Sequence, residues 1–90
     1  MDYESILKLL KLDLRISVSA YDTLLQAYIE SAEKAIEIEG INLMPGDEAD
    51  EMLVVQYAAW LFRHREDNIP MSRMLRWQLN NRLLSEKARG

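Results

Sequence analysis

Ninety residues without a cysteine exclude a disulfide framework and a thiolate metal site. They allow one domain, because a chain this short closes a single hydrophobic core and buries roughly 60–65% of its unfolded surface. Apolar residues at 49% and charged residues at 29% leave little room for a disordered chain, and the net charge of −4 conceals an asymmetry: residues 1–60 carry −8 and residues 61–90 carry +4.

The opening Met1-Asp2-Tyr3-Glu4-Ser5 lacks the basic and then apolar run of a signal peptide. In the first segment Ile6, Leu7, Leu9, Leu10 and Leu12 follow a helical rhythm with Lys8 and Lys11 facing out, which predicts a helix over residues 2–12. Ser19 with Asp22 three residues later has the form of a capping box and opens a second helix, residues 20–39. There Tyr21, Leu24, Leu25, Tyr28, Ile29, Ala32, Ala35 and Ile36 recur at i+3 and i+4, while Asp22, Gln26, Glu30, Glu33 and Glu37 keep mostly to the other side. Gly40 is the expected C′ residue.

Residues 42–47 are rich in turn formers, and Asp47 or Asp50 is placed to cap a third helix, residues 48–67. Between Met52 and Phe62 only Gln56 is strongly polar. That stretch is about half of the ~20 residues needed to cross a bilayer, so it predicts a central helix covered on several sides, with no membrane partner. Asn68-Ile69-Pro70 breaks the chain, and a fourth helix follows over residues 72–87. The expected fold is an all-α, single-domain bundle of about four helices around an apolar third helix. Leu25, Ile29, Leu53, Tyr57, Trp60, Leu61, Leu75 and Leu79 are the expected core.

The fourth helix carries two apolar lines. Met71, Leu75, Leu79 and Leu83 form one at i+4 spacing, and Met74, Trp77, Asn81 and Leu84 form another at 3-4-3 spacing. One line can bury in the monomer. The second either folds Trp77 over the small core or meets a neighbour, and Trp and Met beside Arg76 are enriched at protein interfaces.

Signals for chemistry are absent from the pattern. His64 sits in Arg63-His64-Arg65-Glu66-Asp67 at a helix end, where the helix dipole favours cations. It has no His or Cys partner at i+3 or i+4, and Leu61 stands where a di-iron motif would need Glu. No serine lies in an elbow or triad setting, and Gly40, Gly46 and Gly90 build no phosphate loop. Glu30, Glu33 and Glu37 share a helix face beside Lys34 and predict a solvated acidic surface. Catalytic, cofactor and metal residues are therefore not expected. Arg73, Arg76, Arg82, Lys87 and Arg89 on the last helix raise nucleic-acid binding, but a proline precedes that helix and the rest of the chain is acidic, which argues against specific DNA recognition.

With the helices placed, nearly the whole chain resembles the head-tail connector (head-completion adaptor) family of tailed bacteriophages with long non-contractile tails. The resemblance rests on Leu14-Arg15-Ile16 after a short leading helix, on Leu24-Leu25 with Ile29, Ala32 and Ile36, and on Gly40-Ile41. An acidic loop, an alanine- and aromatic-bearing helix ending in Leu61-Phe62-Arg63-His64-Arg65-Glu66, a Pro-containing loop and a leucine-rich last helix complete it. The second helix departs from the family in ending Ile38-Glu39-Gly40, where an aromatic and a Thr often precede the Gly, and the loop after Pro70 is short.

The resemblance implies a non-enzymatic, cofactor-free subunit made in the bacterial cytoplasm and placed in the virion neck. It would form a homo-oligomeric ring of about a dozen copies beneath the portal protein, meet neck or tail-completion proteins, and let DNA pass through. The residues add a reason for self-association. An acidic first part (Glu30, Glu33, Glu37) and a basic, apolar last part (Met74, Arg76, Trp77, Leu84) are suited to a head-to-tail contact. The rival reading is a small helical adaptor or regulator of one protein partner.

Overall fold

A computed structural model describes residues 2–89. Among them are four α-helices, α1 (Tyr3–Leu14), α2 (Asp22–Ile38), α3 (Glu48–Arg63) and α4 (Arg73–Arg89), with one turn of 3₁₀ helix over Ser19–Tyr21 and no strand. The all-α bundle of four helices is as expected from the periodicity. Its extents are 41 × 30 × 18 Å.

α1 begins where the Asp2 carboxylate accepts from the Ser5 N–H at 3.2 Å. It runs two residues past the expected end because Arg15 adopts the left-handed conformation (φ 59°). The Ile16 N–H then reaches the Lys11 carbonyl, as in a Schellman closure. The Ser19–Asp22 capping box does not form. Val18, extended, precedes the 3₁₀ turn without a side-chain cap, and Asp22 accepts from Lys11 Nζ at 2.7 Å, tying α2 to α1. At the other end of α2, Gly40 takes φ 103°, and a Cβ there would stand 3.3 Å from the Leu83 side chain.

Asp47 caps α3 by accepting from the Asp50 N–H at 3.0 Å. α3 buries Leu53, Val54, Val55, Tyr57, Ala58 and Ala59, positions spread around its circumference, so it is the central helix. It ends at Arg63, four residues before the expected boundary. The run 64–67 has no apolar side chain to bury, and its polar groups close the end instead: Arg65 donates to the Phe62 carbonyl and lies over the Phe62 ring, and Asp67 accepts from the Ile69 N–H.

Six expected core residues are buried: Leu25, Ile29, Leu53, Tyr57, Leu75 and Leu79. Trp60 and Leu61 are only partly buried and pack at the edge of the core, Trp60 edge-on to Tyr57 and beside His64. The core also takes Ile6 and Leu10 from α1, Ala32 and Ile36 from α2, Ile41, and Val54, Val55, Ala58 and Ala59 from α3. Two residues of the expected α2 stripe are exposed: Leu24, which α2 turns outward, and Tyr21, which lies in the 3₁₀ turn before α2.

Candidate assembly surface

α4 starts with the Ser72 hydroxyl accepting from the Leu75 N–H at 3.2 Å, and its first apolar line goes into the core: Leu75 and Leu79 are buried, with Met71 and Leu83 packed against them. A single helix cannot turn both of its lines to one neighbour. Met74, Trp77 and Leu84 are therefore 65%, 63% and 64% exposed, with Asn81 exposed between them. Trp77 does not close the core. It borders a shallow depression with Met52, Leu53, Gln56 and Gln78, and Met52 carries the apolar surface across to α3.

Charged ties hold α4 in this orientation. Arg82 lies on the same side of α4 as Leu75 and Leu79, and its guanidinium meets both oxygens of Asp50, which is 2% exposed, at 2.7 and 3.0 Å. It also donates to the Asn42 carbonyl at 2.8 Å and to Glu86 at 3.1 Å. Glu86 accepts from the Asn42 N–H, and Asp50 from the Met44 N–H, so the loop before α3 is fastened to the same cluster. The hydrogen bonds and charge of Asp50, then of Glu86, hold the Arg82 proton more tightly than usual against the opposing effect of burial.

Arg76, expected at the interface, instead grips Glu39 at the end of α2 through two hydrogen bonds of 2.8 and 2.6 Å, which raise its pKa. Burial raises the pKa of the neighbouring Tyr57 phenol, reinforced by the Glu39 charge. Arg63 pairs with Asp13 at 3.1 Å. The contrast in charge between the two parts of the chain thus serves largely to join them within one molecule. On the outward side of α4, Arg73 and Lys87 are exposed and take part in no ion pair among the described residues.

The three acidic candidates separate. Glu30 and Glu37 are exposed on α2, whereas Glu33 is buried beneath α1 and accepts from the Tyr3 hydroxyl at 3.2 Å. The solvated face expected of all three therefore holds for two. The bond to Glu33, with burial and the charges of Glu33, Glu30 and Glu37, raises the Tyr3 pKa.

Sequence reasoning missed the Asp50–Arg82–Glu86 cluster, although a signal was present. Arg82 and Glu86 follow Leu75 and Leu79 by helical spacing, so both fall on the core side of α4, and a charge there requires a partner. Glu33, next to Ala32 and between Ile29 and Ile36, carries the same signal.

Among the described residues no group of three or more His, Cys, Asp or Glu could hold a metal ion, and no helix is long and apolar enough to cross a membrane. No family model matches the chain, and no curated protein or solved structure is significantly similar to it.

Proposed function

We propose that this chain is a self-assembling structural subunit of the head-to-tail neck of a tailed bacteriophage or prophage. Copies form a ring that docks beneath the portal protein, lets DNA pass, and presents its far side to the next neck or tail-completion protein. The observation that carries the self-assembly is the outward line of α4: Met74, Trp77 and Leu84 stand in solvent on a helix whose other apolar line is already buried. Large side chains in such an array are the anchors of protein interfaces, with Trp the most enriched. The placement in a phage neck rests on the resemblance carried by Leu14-Arg15-Ile16, Leu24-Leu25, Gly40-Ile41 and Phe62 with Arg65-Glu66, and the four-helix fold is compatible with it.

Sedimentation velocity over a range of concentrations, followed by negative-stain imaging of the heaviest species, tests the reading. A closed ring is the expected result, free or on the portal. A chain that stays monomeric at high concentration and with a portal protein present overturns it, and the outward line of α4 then serves one different protein partner.

A further inference from the structure

α2 and α4 have matching outward faces. On α2 the exposed residues Leu24, Ala27, Ser31, Lys34 and Ile38 follow each other at spacings of 3, 4, 3 and 4; on α4 Met74, Trp77, Asn81, Leu84 and Ala88 do the same. Such spacing is the heptad pattern of a helix-pairing seam. Each seam lies opposite the buried line of its own helix, Leu25, Ile29, Ala32 and Ile36 on α2, Leu75 and Leu79 on α4. Ile38 is 86% and Leu24 43% exposed. The seams differ in bulk and in charge. α4 offers Trp77 and Met74 beside the cations Arg73 and Lys87, and α2 offers the small Ala27 and Ser31 beside the acids Glu30 and Glu37.

Resting on the self-assembly reading above, we propose that the α4 seam of one copy packs antiparallel on the α2 seam of the next copy. One register satisfies both differences. It sets Leu84 against Leu24, Asn81 against Ala27, Trp77 against Ser31 and Met74 against Lys34. The large indole then lies over the small Ser31, with the small Ala27 in the adjacent layer, and the Lys34 stem packs along Met74. In the same register the flanking positions bring Arg73 to Glu37, Asn80 to Glu30 and Lys87 to Thr23. Antiparallel seams pair along these flanks, so Arg73 meets the acid Glu37 at one end and no like charges face each other across the flank.

The alternatives fit less well. Two α4 seams paired antiparallel would set Arg73 against Lys87 at both ends. Paired in parallel they would stack Trp77 on Trp77 within the 8–10 Å between packed helices. A contact between different faces is also heterologous, so each copy keeps one seam of each kind for its neighbours and the chain of contacts can close into a ring.

Because the chain has no cysteine, single thiols can be placed at will. The test mixes full-length Ala27→Cys with full-length Asn81→Cys under mild oxidation and follows cross-linked dimer on non-reducing gels. The mixture is expected to cross-link at least about tenfold more than either variant alone, because facing core positions bring the Cβ atoms near disulfide range. Charge reversal adds a second arm. Glu37→Arg and Arg73→Glu should each weaken assembly about fivefold at low salt, and the double variant should recover to within about twofold of wild type, with the helical circular dichroism unchanged throughout. Cross-linking of Asn81→Cys with itself as strong as in the mixture overturns the proposal in favour of paired α4 seams. Assembly of both thiol variants without any cross-link, or charge variants that show no reciprocal rescue, overturns the register but leaves self-assembly standing. A wild-type chain that remains monomeric overturns both.

Discussion

Replacing Arg82 by Met tests what holds α4 to the body. Met keeps much of the aliphatic volume but removes the guanidinium that meets both oxygens of Asp50, the Asn42 carbonyl and Glu86. Asp50 is 2% exposed and stays in place with its bond from the Met44 N–H, so the substitution strips a buried carboxylate of the two bonds it accepts from the Arg82 guanidinium. Breaking a buried pair from one side costs about 3–5 kcal/mol. Arg82 is 13% exposed and Asp50 keeps a donor, so the low end, about 3 kcal/mol, applies. A domain of this size is stable by about 5–9 kcal/mol, and each kcal/mol moves the midpoint by about 4–8 °C, so the melting temperature should fall by about 12–24 °C. Urea titration followed by circular dichroism supplies the free energy and the slope. Adding Asp50→Asn should restore about 1–2 kcal/mol, because it removes the buried charge that Arg82→Met exposes. A loss below about 1 kcal/mol would show that Leu75 and Leu79 anchor α4 by themselves, refuting the assignment of this cluster as the principal tie. The titration of Arg82 gives this stability no pH dependence in the ordinary range. Its folded pKa is raised above an unfolded value that already lies beyond the ordinary range, so its contribution is complete throughout that range and is lost only above it.

Three further outcomes are expected. Trp77→Ala should change monomer stability by no more than about 0.5 kcal/mol under conditions where the chain is dilute, whereas Leu79→Ala, at a fully buried site on the same helix, should cost about 2–5 kcal/mol in the same titration. Stability should decline as pH rises above 10, because the Glu33 hydrogen bond at Tyr3 and burial at Tyr57 raise their folded pKa values above that of a free tyrosine and favour the neutral phenol; Tyr3→Phe and Tyr57→Phe should each flatten the decline measured by urea titration from pH 9 to 11. Arg15→Gly should raise the melting temperature, with a gain of about 0.5–1 kcal/mol, since a left-handed residue other than glycine costs about 1–2 kcal/mol and the extra freedom of glycine in the unfolded chain returns part of it.

The sequence by itself determined the number, kind and order of the helices, because a 3.6-residue rhythm in Leu and Ile repeats over three or more turns and is insensitive to its surroundings. It also determined Gly40 as the residue that closes α2 and the presence of two apolar lines on α4, and it narrowed the α3 cap to Asp47 or Asp50, of which the structure selects Asp47. Periodicity assigns a residue to a side of its own helix but does not say which neighbour covers that side. Only the tertiary structure decided that the second line of α4, Met74, Trp77 and Leu84, stands in solvent instead of folding Trp77 over the core, that Glu33 is buried beneath Tyr3 while Glu30 and Glu37 are not, and that Arg76 turns to Glu39. The Asp50–Arg82 pair joins residues 32 positions apart, and no local pattern encodes which acid meets which base across that distance. Charge counted along the chain therefore pointed outward to a partner. In three dimensions much of it is consumed by the protein's own ion pairs, because opposite charges on packed helices meet one another before they meet a second molecule.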